Sequence, residues 1–205
     1  MTEGNIVGEA GSFEDYQYWA GKADDETVLI GAGDFYTALL NRFYQPKEQP
    51  GFKMQLPHLY VCGTAFRDRK EQLKKLDCVS FLQQDINNDW ITNTVEIIKK
   101  QNKVIMAVDH SATPASELRA AMAKAVKEIL KRLPIAEIFI EGGSTAAAVL
   151  QELQIKKLEP VNELQRGVVR MRSQGLYITI KPGSYELPEE IKRLYSINHY
   201  RSSES

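Results

Sequence analysis

The sequence predicts an α/β fold: a three-layer sandwich around a mostly parallel, Rossmann-like sheet, with a β-rich addition at the C-terminal end. Three observations carry this. Between residues 58 and 153, short apolar runs alternate with segments of helical period. The connections between them are short. Several apolar runs end in glycine or a small polar residue just before the next helix, the usual handover from a parallel strand to its crossover helix.

Taken in order, "SFEDYQYWAGKA" predicts a helix with Ser12 and Asp15 as capping residues. "TVLIGAG" predicts a short buried strand ending in glycines. "DFYTALLNRFY" predicts a helix in which Phe35, Leu39, Leu40 and Phe43 share a face. "QPKEQPGFKMQLP", with three prolines and a glycine, predicts a long loop over residues 45–57. A domain border is the other reading of that stretch, against which the preceding segment is too short for a robust core of its own. "HLYVCG", "CVSFL", "KVIMAVD" and "IAEIFIEGG" then predict strands, interleaved with the helices "DRKEQLKKL", "DWITNTVEIIKKQN", "ASELRAAMAKAVKEILKRL" and "STAAAVLQEL". Pro114 suits the start of the longest of these. "GVVRMR" and "GLYITIKPG" flank a polar turn and predict a hairpin or two edge strands. "LPEEIKRLY" is a short closing helix, and "SINHYRSSES" a frayed tail. Residues 1–205 thus read as a single domain with a core over 12–195 and a tail over 196–205.

Composition excludes some classes. With 26 basic and 27 acidic residues the formal charge is -1, which gives no electrostatic footprint for a nucleic acid. No apolar run is long enough for a membrane span. The opening "MTEGNIVGEAGSFEDY" lacks the basic and apolar regions of a signal peptide. Cys62 and Cys78 have no metal-ligand spacing and suit a reducing compartment, with one disulfide left open. The expected setting is cytoplasmic, with no membrane and no nucleic-acid partner.

Five stretches carry chemistry. In "EGGST", Gly142 and Gly143 let the backbone approach a ligand at a strand end. Ser144 stands where an N-cap belongs, and Thr145 offers a hydroxyl. The helix start favours an anion, and Glu141 suits a metal or a ribose hydroxyl. An ordinary helix start is the plain alternative, and the lysine of a P-loop and the third glycine of a dinucleotide fingerprint are missing. "LIGAGDFYTALL" has the same layout around Gly31 and Gly33. There Asp34 opposes phosphate, and either caps the helix or leaves the glycines to line an adenine or ribose pocket. "YVCGTAFRDRKEQL" places Gly63 and Thr64 after a strand. Arg67 and Arg69 lie near a helix start, where cations gain nothing from the dipole; a bound anion and a solvated surface are both open readings. "VDHSATPAS" brings Asp109, His110, Ser111 and Thr113 to a strand end, as a polar loop or around a histidine base. In "TIKPGSY", Lys181 follows a strand as a mobile phosphate-binding charge, with Pro182, Gly183 and Ser184 in a turn that admits close backbone approach.

In this order of glycine turns the chain resembles the C-terminal, nucleotide-binding domain of the four-carbon acid sugar kinase family, over roughly residues 12–195. The matching stretches are "IGAGDFYTALL", "VCGTAFRDRKEQL", "EGGSTAAAVLQEL", "RGVVRM" and "KPGSYE". The resemblance implies ATP with Mg2+ as cofactors and an adenine nucleotide as ligand. It implies a nucleotide site lined by Gly63, Thr64, Gly142, Gly143, Ser144 and Thr145, closed by a loop of Lys181, Pro182, Gly183 and Ser184. Phosphoryl transfer is largely positioning and charge neutralisation, which such residues can supply. The sequence departs from the family pattern at Tyr185-Glu186, Arg69 and Asp34. The family's sugar-acid domain has no room in this chain, so the resemblance implies a piece of a longer kinase, a subunit completed by a sugar-acid-binding domain or subunit as partner, or a relic that binds a ligand without catalysis. Catalytic residues stay unassigned and a homo-oligomer stays open. A non-catalytic nucleotide or phospho-ligand module is the alternative.

Overall fold

The computed structural model describes residue 4 and residues 6–45, 52–63, 67–82, 88–108 and 113–197. The chain divides into two compact units, Met1–Pro50 and Gly51–Ser205.

The first unit holds α1 (Phe13–Gly21) and α2 (Gly33–Phe43). Ser12 and Asp15 form the expected capping box: the Ser12 hydroxyl accepts from the Asp15 N–H, and the Asp15 carboxylate accepts from the Ser12 N–H at 2.9 Å. "TVLIGAG" is a correction. No strand forms there; the segment is unpaired, with Val28 87% and Ile30 92% exposed. A strand needs a ladder partner, and none of the described residues supplies one. Asp34 is not the cap of α2 either. Ala32 holds that position, and Asp34 lies in the first turn. Along α2, Ala38 is buried, whereas Tyr36, Leu40, Phe43 and the following Tyr44 form a second, exposed apolar stripe.

The second unit contains β1 (His58–Cys62), α3 (Arg67–Leu73), β2 (Val79–Leu82), α4 (Asn88–Gln101), β3 (Lys103–Val108), α5 (Ala115–Arg132) and β4 (Glu137–Glu141). It continues with α6 (Gly143–Glu152), β5 (Glu159–Gln165), β6 (Val168–Ser173), β7 (Leu176–Lys181) and α7 (Glu189–Tyr195). The seven strands form one sheet in the order β2-β3-β1-β4-β7-β6-β5. The first five in that order run parallel; β6 and β5 are antiparallel additions. The C-terminal β pieces are therefore a hairpin whose second strand, β7, joins the parallel part of the sheet beside β4. β5, "EPVNELQ", is a strand that sequence patterning misses.

Strand alternation sorts the core into two layers. Leu59, Val61, Val104, Met106, Ile138 and Ile140 pack with α4, α5 and α6 on one face. Tyr60, Cys62, Ile105, Ala107 and Phe139 pack with Leu73 of α3 and with Ile191 and Tyr195 of α7 on the other. The result is a Rossmann-like three-layer α/β sandwich. Ser196 closes α7 in the left-handed conformation (φ 56°), and Ile197 is buried; residues 198–205 lie outside the described residues. No helix among the described residues is long and apolar enough to cross a membrane. Cys62 and Cys78 are buried and not joined in a disulfide.

Candidate functional site

β1 and β4 are adjacent and parallel, yet the helices that follow them leave on opposite faces: α3 with the α7 layer, α6 with the α4–α5 layer. In open α/β sheets this is the topological switch point, where a crevice opens outside the carboxyl ends of the strands. Gly63 follows β1 and Gly142 follows β4, so two of the glycine turns meet at that crevice. Gly63 donates its N–H to Glu141 O at 3.0 Å, and Gly142 donates to Lys181 O at 2.9 Å. The third turn, after β7, is thereby tied to the second.

Gly142 has φ 105° and ψ 119°, a backbone that side-chain-bearing residues avoid. It is the N-cap of α6, which corrects the expectation for Ser144; Ser144 lies in the first turn and is exposed. No side chain caps the helix, and the first helical bond runs from Ala146 N–H to Gly142 O at 2.9 Å. The N–H groups of Gly143, Ser144 and Thr145 therefore precede the helical ladder and face the positive end of the dipole. A Cβ added at Gly143 would meet nothing within 4 Å, so this side is open. Thr145 is different: it is 1% exposed, and its Oγ1 would lie 2.0 Å from a Cβ added at Gly63. Its hydroxyl packs under Gly63, and only glycine fits there. Thr64 lies outside the described residues.

Below the crevice, on the α3–α7 side, Cys62, Glu141 and Lys181 form one row across β1, β4 and β7. Glu141 is 1% and Lys181 0% exposed, with Lys181 Nζ 3.0 Å from Glu141 Oε1. Lys181 also donates to Pro182 O at 2.7 Å and Gly183 O at 3.4 Å. The Tyr60 hydroxyl donates to Glu141 Oε2. Burial, then the neighbouring Cys62 and Glu141, push the Tyr60 phenol well above its usual range, so it stays a neutral donor. Cys62 Sγ lies 3.7 Å and Arg69 Nε also 3.7 Å from the same oxygen. Two sequence expectations change here. Lys181 is not a mobile surface charge but an internal counter-ion, because an unpaired buried carboxylate is costly. Glu141 is committed to Lys181 and Tyr60 rather than presented to a metal or ribose. Among the described residues no group of three or more His, Cys, Asp or Glu is arranged to hold a metal ion.

The closing loop is pinned from three sides. Lys181 holds the carbonyls of Pro182 and Gly183, Tyr185 N–H reaches Pro182 O at 3.2 Å, and the Gln165 amide donates to Glu186 O at 2.7 Å. Gly167 (φ 73°) lies against the Tyr185 ring, where a Cβ would sit 2.5 Å from Cε2. Ser184 is exposed, and a Cβ at Gly183 would meet nothing. Gly63, Gly142, Gly143, Ser144, Thr145 and the Lys181–Ser184 turn are thus gathered at the carboxyl ends of three neighbouring strands. Gly31 and Gly33 belong to the other unit. Asp109, His110 and Ser111 lie outside the described residues. Sequence reading missed Tyr60 and Cys62, and the coupling of Glu141 to Lys181. A signal existed: each of those two charges terminates an apolar strand, "IFIE" and "YITIK", and a charge there needs a partner.

At the opposite strand ends a second buried ion pair is structural. Arg170 grips Glu137 with two bonds of 2.7 and 2.9 Å and lies 3.8 Å from the Tyr177 ring centroid. His58 Nδ1 is 2.7 Å from Tyr195 Oη; burial, then Arg170, lower its pKa to about 3.

A family model described as a nucleotide-binding C-terminal domain matches residues 61–185. Among curated proteins none matches the sequence. Among solved structures, a Bordetella bronchiseptica domain of unknown function (DUF1537), a domain-swapped dimer with bound citrate, aligns at 18% identity and TM-score 0.54, covering 92% of this chain and 52% of its own. A Haemophilus influenzae protein of the same family model aligns at 14% and 0.60, covering 92% and 52%. A Salmonella typhimurium LT2 protein aligns at 13% and 0.64, covering 93% and 52%. At these identities the likeness is one of fold, and the chain spans about half the length of these structures.

Proposed function

The chain belongs to the nucleotide-binding C-terminal domain family, and on that premise we propose that it binds the phosphates of an adenine nucleotide at the β1–β4 crevice. The observation that carries the reading is the uncapped N-terminus of α6, open at Gly143 and set at the switch point opposite Gly63. The nucleotide is ATP, within a sugar-acid kinase system in which the γ-phosphoryl passes to a hydroxyl of a four-carbon acid sugar. Mg2+ would travel with the phosphates. This chain's part is positioning. Among the described residues at the crevice Glu141 is committed to its counter-ion and Ser144 and Ser184 offer only hydroxyls; we assign the base that activates the sugar to a second domain or subunit. The domain-swapped dimer of the Bordetella relative makes a homo-oligomer worth testing by light scattering. The reduced thiols fit a cytoplasmic setting.

The test is calorimetric titration with ATP, ADP and AMP in the presence of Mg2+. Binding of an adenine nucleotide is expected, and Gly143→Leu should weaken it while the melting midpoint holds, because a Cβ at this position meets nothing within 4 Å. Absence of binding to the wild-type protein would reject the nucleotide. A second reading, a non-catalytic phospho-ligand or carboxylate module, is favoured by the locked state of Lys181 and by the citrate of the Bordetella structure. Citrate and inorganic phosphate in the same titration separate the two.

A further inference from the structure

We propose that Arg69, rather than Lys181, supplies the positive charge that meets the ligand's phosphate. The assignment rests on the nucleotide reading above and adds the residue that distinguishes a phosphorylated ligand from an unphosphorylated one.

The count of donors and acceptors around Glu141 carries it. An ammonium has three N–H donors, and Lys181 places its own on Glu141 Oε1, Pro182 O and Gly183 O. It is 0% exposed and has nothing left to offer. The other carboxylate oxygen, Oε2, already takes the Tyr60 hydroxyl and faces the Cys62 thiol. Arg69 arrives last. Its Nε is 3.7 Å from Oε2, within ion-pair range but beyond a hydrogen bond, and this buried N–H has no acceptor among the described residues. Nη1 is spent on Gln72 of its own helix, at 3.0 Å.

Charge gives the same answer. Glu141 carries one negative charge, Lys181 and Arg69 two positive ones, and Tyr60 is neutral. Among the described residues this group is one anion and one acceptor short. The Arg69 side chain is 16% exposed and borders solvent, where Lys181 does not. An oxyanion in the crevice, facing the N–H groups of Gly143 and Ser144, would supply both missing elements. A guanidinium matches phosphate with paired donors, and Arg69 gives up no hydrogen bond to Glu141 in turning to one. Withdrawing Lys181 instead would strip Glu141 and two carbonyls of their donor.

The experiment compares adenosine with ADP by calorimetry on wild type, R69Q and R69K. Wild type should bind ADP more tightly than adenosine. R69Q should lose about tenfold or more in ADP affinity and leave adenosine unchanged, and R69K should fall between. A purely structural Arg69 would move both ligands together or neither; either result overturns the assignment and leaves the nucleotide reading standing. Wild-type protein that binds ADP no tighter than adenosine overturns it without any variant having to fold. If wild type binds neither adenosine nor ADP nor ATP, the nucleotide reading falls and this assignment with it.

Discussion

Replacing Lys181 with methionine leaves the Glu141 carboxylate in place, 1% exposed, without the ammonium that now sits 3.0 Å away. Arg69 stays at 3.7 Å as a partial counter-charge, but it makes no hydrogen bond to the carboxylate. The carbonyls of Pro182 and Gly183 lose their donor as well. Breaking a buried pair from one side costs about 3–5 kcal/mol. For a unit the size of Gly51–Ser205, about 2–4 °C is lost per kcal/mol, so the midpoint should fall by about 6–20 °C. Urea unfolding followed by circular dichroism, with calorimetry for the midpoint, measures this. The double variant K181M/E141Q should regain more than half of the loss, because glutamine removes the stranded charge and keeps an acceptor for Tyr60. A K181M protein within about 1 kcal/mol of wild type, or a double variant no better than the single one, would refute the view of this pair as a desolvated core element.

Gly63→Ala would set a methyl 2.0 Å from Thr145 Oγ1 and 2.8 Å from the Glu141 carbonyl; a loss of about 1–3 kcal/mol is expected in thermal melts. Adding T145A should recover only part of it, since the backbone oxygen remains. Gly142→Ala, at φ 105°, should cost about 1–3 kcal/mol through backbone strain alone, with no rescue by neighbouring substitutions. His58 stays neutral in the fold down to about pH 3, whereas the unfolded chain takes up its proton near pH 6.5. The unfolded state therefore binds more protons between those values. Stability from this group is complete above pH 6.5 and is lost on acidification, by up to about 1.4 kcal/mol per pH unit. His58→Phe should flatten the fall in urea-unfolding free energy between pH 7 and pH 5; an unchanged slope would show that His58 does not carry it.

Legibility in the sequence followed burial. β1, β3 and β4 are near-continuous apolar runs because both of their faces are covered, and each is found within a residue or two of its expected place. The same pattern misleads at "TVLIGAG", where a strand-like run has no ladder to join. It is silent at β5, a polar edge strand containing Pro160 that is held by its pairing to β6. The glycine turns were visible as punctuation, and the N-terminus of α6 followed from them. The roles of the charges did not. Lys181 read as a mobile cation because a lysine at a strand end is usually solvated, and what immobilises it is Glu141, forty residues earlier in the chain.

Local sequence alone determined the alternation of strand and helix, the glycines at the strand ends and the Ser12 capping box, because each depends on residues within one turn or one strand of one another. Tertiary structure alone decided the strand order, and the order made the site. By seating β4 between β1 and β7, it put Gly63 against Thr145, locked Lys181 onto Glu141 and left Arg69 with a buried N–H and no acceptor among the described residues. The physical reason is that a charge's role is set by which partners remain once water is excluded, and those partners are chosen by strand pairing, not by distance along the chain.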